Sequence, residues 1–418
     1  MSSELKQYLI QPSRLVGTVT VSGAKNSALK LLTASLLTSE KIEIKNYPDS
    51  LLDTQIHVGM LRYLGKECSV TEDSITITQA GNLKSVLEWH DRSIRNTLLM
   101  LGTLVARTGQ GAVPLPGGCD IGDRKYDLHE MVLRSMGAEV WTESNMLCAK
   151  VRGRLKGAEI HLSIRSTGAT ENAVMCGSLA VGITRVWNPH IRPEIIDLIA
   201  CLKKMGAKIK VYGQQCIEIE GVESLTGTQH TVIPDNMEAI TWLIGSVITD
   251  GDVEIVGFPF EHLEVPLIHL RESGAKFYRG DDRLIVRGGC CYPIDISTGP
   301  YPGINSDMQP IFAVYGLCAK GESRIIDLRF PGRYLYADEM KKMGAAFKME
   351  GNMLSILGGS NLNGARVRAT DLRTGAALAL AGLVAKGETV IEDSWQIERG
   401  YNQFISKIAS LGAIISSK

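Results

Sequence analysis

The sequence lacks several features that commonly assign a protein to a functional class. No apolar stretch approaches the ~20 residues that a membrane-spanning helix needs, and the first residues lack the basic and apolar regions of a secretory signal. Lysine plus arginine and aspartate plus glutamate both number 45, so no excess charge favours nucleic acid or an anionic membrane. Any anionic ligand must therefore be bound by local clusters of basic residues.

Specific motifs are also missing. The nine cysteines have neither zinc-site spacing nor the pattern of a disulfide framework, which is typical of a reducing cytoplasm. The adjacent pair Cys290 and Cys291 is predicted to be two buried small residues. There is no G-K-[ST] phosphate loop, no G-x-G-x-x-G fingerprint, no H-E-x-x-H and no G-x-S-x-G elbow. A metal, a dinucleotide and a serine nucleophile therefore have no support.

What the chain does contain is a sixfold repeat over a length that suits two domains. In each copy a helix-like run ends at a glycine, and two short strand-like runs follow. Six nearly all-apolar segments, such as "LLMLGTLVART" and "ITWLIGSVITD", alternate with these copies and predict buried helices. The marker glycines recur about every seventy residues, at Gly65, Gly137, Gly206, Gly274, Gly344 and Gly412.

This pattern predicts an α/β protein of six strand–helix–strand–helix–hairpin units, with three units in each of two lobes. The apolar helices are expected to pack inward and the sheets to lie outward. Two such lobes predict a cleft lined by loops from both, with lobe closure as the gating motion.

Charged residues lie in the glycine-bounded loops, several of them where an apolar helix begins. Lys25 and Asn26 open one such helix, which is a typical anion site. Cations at helix N-termini oppose the helix dipole, so an anionic ligand explains them better than stability does. Singly, each arginine is more commonly an ion-pair partner, and the alternative interpretation of Asp307 is a plain N-cap. Together they predict a site for a small polyanion carrying phosphate and carboxylate. The set is completed by Arg95, Arg124, Asp127, Arg333, Asp371, Arg373 and Arg399.

The stretch "LPGGCDIGDRKYDLH" places Cys119 between glycine turns, a position that suits a loop better than a core. Arg124 and Lys125 follow closely and favour the thiolate. Cys119 is therefore predicted to be a functional thiol.

From "VSGAKN" to "IERGY", the chain resembles the UDP-N-acetylglucosamine enolpyruvyl transferases, which are related to 5-enolpyruvylshikimate-3-phosphate synthase. The motif GGCxIGxRxxDLH is specific to the sugar-nucleotide branch. The resemblance covers nearly all of the chain and implies two inside-out α/β barrel domains, each of three βαβαββ-type units. It implies a first lobe at 22–232 and a second lobe formed by 1–21 and 233–418.

The resemblance also implies a reaction. Phosphoenolpyruvate would transfer its enolpyruvyl group to the 3-hydroxyl of UDP-N-acetylglucosamine by addition–elimination, with release of phosphate. This is the opening step of peptidoglycan precursor synthesis, in the cytoplasm. It requires neither metal nor organic cofactor, and its partners are the two substrates rather than nucleic acid or membrane.

The resemblance carries roles over to matching residues. Cys119 would protonate C3 of phosphoenolpyruvate, and Asp307 would deprotonate the sugar hydroxyl. Asn26 would contact the acceptor sugar. The phosphate and carboxylate would be held by Lys25, Arg124 and Arg399, with Arg95 nearby. The uridine nucleotide would contact Arg124, Lys125, Tyr126, Asp127, Leu128, Ser166, Thr167 and Gly168. The wall of the second lobe would be completed by Arg333, Asp371 and Arg373.

Several positions depart from the family pattern. Leu52 stands where many relatives have lysine, Asn236 where arginine is usual, and Gln396 where histidine is usual. Residues 125–126 replace a common Pro–aliphatic pair, and "FPGR" replaces an acidic-Asn-Arg run. The phosphoenolpyruvate set is intact, so these changes concern the acceptor. Two alternatives stay open: a paralogue that acts on another uridine nucleotide in secondary metabolism, and a uridine-nucleotide sensor without turnover.

Overall fold

The structure is a computed structural model that describes residues 6–92, 94–116 and 125–418. Cys119 and Arg124 lie outside the described residues. The chain divides into two compact units. Within the described ranges, the first unit comprises residues 23–233, and the second comprises residues 6–22 and 234–418.

Helices alternate with short strands in both units. Within the described ranges, no helix is both long and apolar enough to cross a bilayer. The first unit has α1 (Lys25–Ala34), α2 (Leu52–Tyr63), α3 (Thr97–Thr108), α4 (Asp127–Ser135), α5 (Thr167–Ser178) and α6 (Pro193–Lys204). The second unit has α7 (Asn236–Ile248), α8 (Glu264–Glu272), α9 (Gln309–Cys318), α10 (Leu335–Lys341), α11 (Leu372–Val384), α12 (Trp395–Glu398) and α13 (Phe404–Ser410). The described part of the chain also has 3₁₀ turns at Ser35–Leu37, Phe260–His262 and Ser306–Met308.

The sheets of the first unit share one strand order. A central strand pairs antiparallel with a hairpin on one side and parallel with a short edge strand on the other. In spatial order, the first sheet is Lys66–Val70, Ser74–Gln79, Ile42–Lys45 and Thr228–Thr231. The second is Glu139–Glu143, Met146–Lys150 and Gln110–Pro114, with a parallel bridge from Ala112 to Val86. The third is Lys208–Tyr212, Cys216–Glu220, Ile183–Trp187 and Glu159–His161.

The second unit repeats this order, and its last sheet recruits the N-terminal strand. Tyr8–Ile10 pairs antiparallel with both of its neighbours and occupies the place of the second hairpin strand. That sheet is Ile415–Ser417, Tyr8–Ile10, Thr389–Glu392 and Arg366–Arg368. The other two sheets are Ala275–Arg279, Arg283–Gly289, Asp252–Val256 and Val16–Thr20, then Ala346–Glu350, Met353–Leu357, Glu322–Asp327 and Asp295–Thr298.

The predicted α/β fold of six repeated units, three in each unit of the chain, is confirmed. All six marker glycines have left-handed backbone, with φ from 89° at Gly412 to 102° at Gly65. The predicted apolar helices are buried, and in α11 every residue of 372–383 is buried. Each unit has its own hydrophobic core, built around α1, α3 and α5 or around α7, α9 and α11.

Gly102 in α3 lies where this helix closely approaches α5. A Cβ atom there would lie 1.9 Å from Asn172 Oδ1 and 2.9 Å from Cys176 Sγ. Gly102→Ala is therefore expected to lower the free energy of unfolding by about 1–3 kcal/mol. Gly81→Ala is the matched control, since its Cβ would have no heavy atom within 4 Å. Urea unfolding of both variants measures the difference, and equal stabilities would exclude this close helix packing.

Candidate functional site

In the first unit, Lys25 combines a buried ammonium group with a helix N-terminus. Lys25 is the first residue of α1. The first turn of this helix contains no acidic residue, and its N-cap residue makes no side-chain hydrogen bond. Lys25 is 7% exposed, and its Nζ lies 2.9 Å from Oδ2 of Asp53, which is also buried. The backbone N–H groups of the first turn and the ammonium group together favour an anion. Asn26 follows on the same turn and is partly exposed.

Arg95 and the segment that leads into α4 are brought together. Arg95 Nη2 donates a 2.7 Å hydrogen bond to the carbonyl oxygen of Lys125. Tyr126 and Leu128 are partly buried against the hydrophobic core, and Asp127 is the first residue of α4. The backbone of this segment is thus held by a cation that the sequence predicts near the phosphate.

The segment 166–168 at the start of α5 lies against α4. Ser166 Oγ accepts a 3.3 Å hydrogen bond from the backbone nitrogen of Ala169, which caps the helix. A Cβ at Gly168 would lie 2.7 Å from Nε2 of His129, a close approach that only glycine permits. The two stretches predicted to contact the nucleotide, 125–128 and 166–168, are therefore neighbours. The sequence predicts no role for His129, although this residue ends the cysteine-loop motif.

A buried polar network lies beside this region. Lys30 Nζ donates a 2.9 Å hydrogen bond to Asn96 Oδ1 and lies 3.7 Å from Glu171 Oε2. Asn96 Nδ2 lies 3.3 Å from His57 Nδ1. Burial raises the pKa of Glu171 to about 7. Burial, together with the charge of Lys30, lowers the pKa of His57 to about 3.

These two pKa shifts predict opposite pH dependences of stability. Between 4.5 and about 7 the folded state keeps the Glu171 proton that the unfolded chain releases, so stability falls as pH rises. Between about 3 and 6.5 the unfolded chain binds a proton that folded His57 does not, so stability rises with pH. In the overlap from 4.5 to 6.5 the slopes oppose each other, each by about 1.4 kcal/mol per pH unit.

Single substitutions are expected to expose each slope. Glu171→Gln removes the Glu171 contribution, so between pH 4.5 and 6.5 the slope of the unfolding free energy against pH should be more positive than in the parent. His57→Gln removes the His57 contribution, so the slope over the same range should be more negative than in the parent. Denaturant titrations at several pH values measure both slopes. Slopes that do not change in opposite directions from the parent slope would contradict the assignment.

In the second unit, Asp307 lies between two arginines. It occupies the 3₁₀ turn before α9, and Asn305 Oδ1 accepts the hydrogen bond from its backbone nitrogen at 3.1 Å. Asp307 Oδ1 accepts from Arg333 Nη1 at 2.8 Å, and Asp307 Oδ2 accepts from Arg373 Nε at 3.4 Å. The N-cap interpretation of Asp307 is wrong, because the N-cap of α9 is Met308, which makes no side-chain hydrogen bond, and Asn305 caps only the 3₁₀ turn. Two guanidinium groups instead stabilise the carboxylate charge.

Arg373 is 1% exposed in the first turn of α11. Asp371 caps this helix, and its Oδ1 accepts from the backbone nitrogen of Arg373 at 2.7 Å. Burial acts to lower the pKa of Arg373, but Tyr401 and Asp307 outweigh it and raise that pKa. Arg373 Nη1 is buried and has no hydrogen-bond partner among the described residues. This leaves a buried N–H donor on the guanidinium group whose Nε contacts the Asp307 carboxylate.

Arg399 lies where the chain returns to the start of α11. Its Nη1 donates to Gln396 Oε1 at 2.9 Å, and the residue is 7% exposed. A Cβ at Gly400 would lie 2.1 Å from Leu372 Cδ1, so this segment packs on the residue between Asp371 and Arg373. Gln396 therefore orients Arg399, which the sequence predicts to bind phosphoenolpyruvate.

Asp327 is a buried carboxylate to which the sequence assigns no role. It accepts hydrogen bonds from Thr298 Oγ1 at 2.7 Å and from the backbone nitrogens of residues 329 and 330 at 2.8 Å. It also accepts from Ser306 Oγ, directly before Asp307. Asp327 thereby fixes both the turn that carries Asp307 and the loop that leads to Arg333.

The cysteines of the described ranges are all free. Cys291 is buried as predicted, but Cys290 is exposed, so the prediction that both are buried is wrong for Cys290. Cys290 directly follows the strand Arg283–Gly289 and is not covered by the core below it. Among the described residues, no three His, Cys, Asp or Glu side chains are grouped as a metal site.

Sequence comparison finds relatives over almost the whole chain. A family model described as EPSP synthase (3-phosphoshikimate 1-carboxyvinyltransferase) matches residues 9–408. The chain is 42% identical to UDP-N-acetylglucosamine 1-carboxyvinyltransferase 1 of Carboxydothermus hydrogenoformans over 411 residues. The aligned region covers 98% of this chain and 97% of that relative. It is 40% identical over 402 residues to UDP-N-acetylglucosamine 1-carboxyvinyltransferase of Shewanella woodyi, covering 95% and 96%.

Solved structures share the fold. The enolpyruvyl transferase NikO from Streptomyces tendae is similar with a TM-score of 0.89 and 24% identity, over 99% of both chains. EPSP synthase from Acinetobacter baumannii is similar with a TM-score of 0.75 and 18% identity, over 99% of this chain and 100% of that chain. At these identities the likeness concerns the fold alone.

Proposed function

The chain belongs to the EPSP synthase family of carboxyvinyl transferases, and we propose that it transfers the enolpyruvyl group of phosphoenolpyruvate to the 3-hydroxyl of UDP-N-acetylglucosamine. Phosphate is the second product. The observation that carries the proposal is the 42% identity, over 98% of the chain, to a UDP-N-acetylglucosamine 1-carboxyvinyltransferase. We place the reaction in the cytoplasm, as the first step towards peptidoglycan and thus towards cell shape and division.

The proposed chemistry has two stages. A proton delivered to C3 of phosphoenolpyruvate makes C2 an electrophile, and the sugar hydroxyl adds to it. The tetrahedral adduct then loses phosphate and a C3 proton to give the enolpyruvyl ether. An acid, a base and positive charge around phosphate and carboxylate are therefore required.

The first unit supplies positive charge and the proposed acid. Lys25 binds the phosphate in this proposal, since its ammonium group and the N-terminal amides of α1 favour the same anion. Asp53, 2.9 Å from Lys25 Nζ, fixes the ammonium group for that contact. Arg95 and Arg124 add charge, and Cys119 donates the proton to C3. Arg124 and Cys119 have these roles from the family motif.

The second unit supplies the proposed base. Asp307 receives the proton of the sugar hydroxyl as the oxygen attacks C2. Arg333 and Arg373 keep its carboxylate charged and fix its orientation, at 2.8 and 3.4 Å. The free Nη1 donor of Arg373 then binds a substrate oxygen, and Arg399 binds the carboxylate or phosphate of phosphoenolpyruvate.

The nucleotide is assigned to the neighbouring segments at the starts of α4 and α5. Lys125, Tyr126, Asp127 and Leu128 provide the first, and 166–168 provides the second. Asn26, directly after Lys25, contacts the sugar. The contact between Gly168 and His129 supports this grouping, because it holds the two segments against each other.

A phosphate-release assay with several acceptors tests the proposal. The protein is incubated with phosphoenolpyruvate and UDP-N-acetylglucosamine, UDP-glucose or UMP in parallel. Phosphate is expected in molar equivalence with consumed UDP-N-acetylglucosamine. Release with UMP or UDP-glucose alone would favour a paralogue with another acceptor. Binding of both substrates in calorimetry without any release would favour a nucleotide sensor.

A further inference from the structure

A pocket in the second unit lies apart from every residue with a proposed catalytic role. Its volume is about 490 Å³, which is within the range of small-molecule sites. Both thiols and cations line the pocket. Neither the proposed transferase reaction nor the packing of the hydrophobic core requires this combination. The lining includes the cysteines Cys290, Cys291 and Cys318 and the cations Lys276, Arg287 and Lys320.

The pocket is electropositive. Its three cations are opposed within the lining by one acidic residue, Asp250. Arg287 also pairs with Asp252 on the adjacent strand, at an exposed position. Lys276 and Lys320 are exposed and appear in no ion pair among the described residues. A ligand with two or more carboxylates therefore complements the lining.

One thiol of the pocket is both accessible and close to a cation. Cys290 is exposed, and Lys320 Nζ lies 4.0 Å from its Sγ. The backbone nitrogen of Lys320 donates a 2.9 Å hydrogen bond to the carbonyl oxygen of Cys291, which holds the lysine beside the cysteine pair. An ammonium group at this distance attracts the carboxylates of an anionic disulfide to the exposed thiol.

The other two thiols of the pocket are poor nucleophiles. Burial raises the pKa of Cys291 to about 11 and that of Cys318 to about 12. Both therefore remain protonated at neutral pH, and Cys291 is also buried. Reaction at this pocket is confined to Cys290.

We propose that Cys290 is a modification site for anionic low-molecular-weight disulfides, which the surrounding cations bind through their carboxylates. The Cys290 thiolate attacks one sulfur of the disulfide. A bond forms between Cys290 Sγ and that sulfur, the S–S bond of the reagent breaks, and the second half leaves as a thiolate. The incoming disulfide is the oxidant, so no other reactant is needed. This inference does not depend on the proposed transferase activity.

The test compares three disulfides of different charge on the full-length protein. Glutathione disulfide is anionic, 2-hydroxyethyl disulfide is neutral and cystamine is cationic. Rates of mixed-disulfide formation are followed at low ionic strength by peptide mapping with mass spectrometry, which resolves Cys290 from Cys119. The charge preference is the rate with glutathione disulfide divided by the rate with cystamine. At Cys290 this ratio is expected to be about tenfold higher than the same ratio measured for free cysteine.

Variants test whether the cations cause this preference. Lys276→Met with Arg287→Met should remove most of it, and Lys320→Met should reduce it by about threefold. Lys342→Met is the matched control, because Lys342 is an exposed lysine paired with Glu339 elsewhere in the unit. A melting curve for each variant checks folding.

Two results would overturn the proposal. The first is a charge preference at Cys290 equal to that of free cysteine and unchanged in the Lys276→Met, Arg287→Met protein. The second is modification of Cys291 or Cys318 ahead of Cys290.

Discussion

Turnover of the Cys119→Ser protein is expected to fall by about 10²–10⁴-fold, which is the usual contribution of a general acid. A serine hydroxyl is a far weaker acid than a thiol, so C3 of phosphoenolpyruvate would lose its proton donor. Cys119→Asp should retain measurable turnover, because a carboxylic acid can supply the same proton. Phosphate release at saturating substrates measures both variants.

The control for this thiol is Cys290→Ser, which changes an exposed cysteine of the second unit and should keep parental turnover. Calorimetric binding of the uridine nucleotide should be similar in all of these proteins, since only proton donation is altered. Parental turnover in Cys119→Ser would show that another group is the acid.

Asp307→Asn is expected to reduce turnover by a similar factor, about 10²–10⁴-fold. The amide keeps the size of the side chain but cannot accept the proton of the sugar hydroxyl. It also leaves buried Arg373 without the carboxylate at 3.4 Å, so some loss of stability is expected. Phosphate release and thermal unfolding are measured on the same preparation.

Two further variants distinguish a base from a structural ion pair. Asp307→Glu restores a carboxylate and should recover part of the turnover, whereas a purely structural role would make Glu no better than Asn. Asp338→Asn removes an exposed carboxylate that pairs with Lys341 and should leave turnover unchanged. If Asp307→Asn keeps parental turnover while substrate binding is intact, the assigned base is wrong.

The fold could be predicted largely because each repeat is marked by residues that are close together in the sequence. Each marker glycine needs left-handed backbone at the same point of its repeat, and the apolar helices have no polar face to expose. The place of Tyr8–Ile10, which pairs antiparallel with two strands in the last sheet of the second unit, could not be predicted in this way. No local pattern predicts a pairing across almost the whole chain, and the family resemblance alone placed residues 1–21 there.

The site was less predictable, because its supporting contacts join residues that are distant in sequence. Lys25 is recognisable at a helix start, but its partner Asp53 lies 28 residues away. Lys30 and Glu171 are single polar residues in largely buried helices, and only the packing of those helices pairs them. Asp327 ends a strand without any motif. The sequence predicts the same burial for Cys290 and Cys291, but Cys291 is buried whereas Cys290 faces solvent.

The most direct test of the account is the reaction of the protein with phosphoenolpyruvate and UDP-N-acetylglucosamine in deuterated water, with the product analysed by mass spectrometry and NMR. The addition–elimination chemistry predicts a 3-O-enolpyruvyl ether, one phosphate per ether, and deuterium in the vinyl CH₂ group. Phosphate without the ether, or an ether free of deuterium, would contradict it.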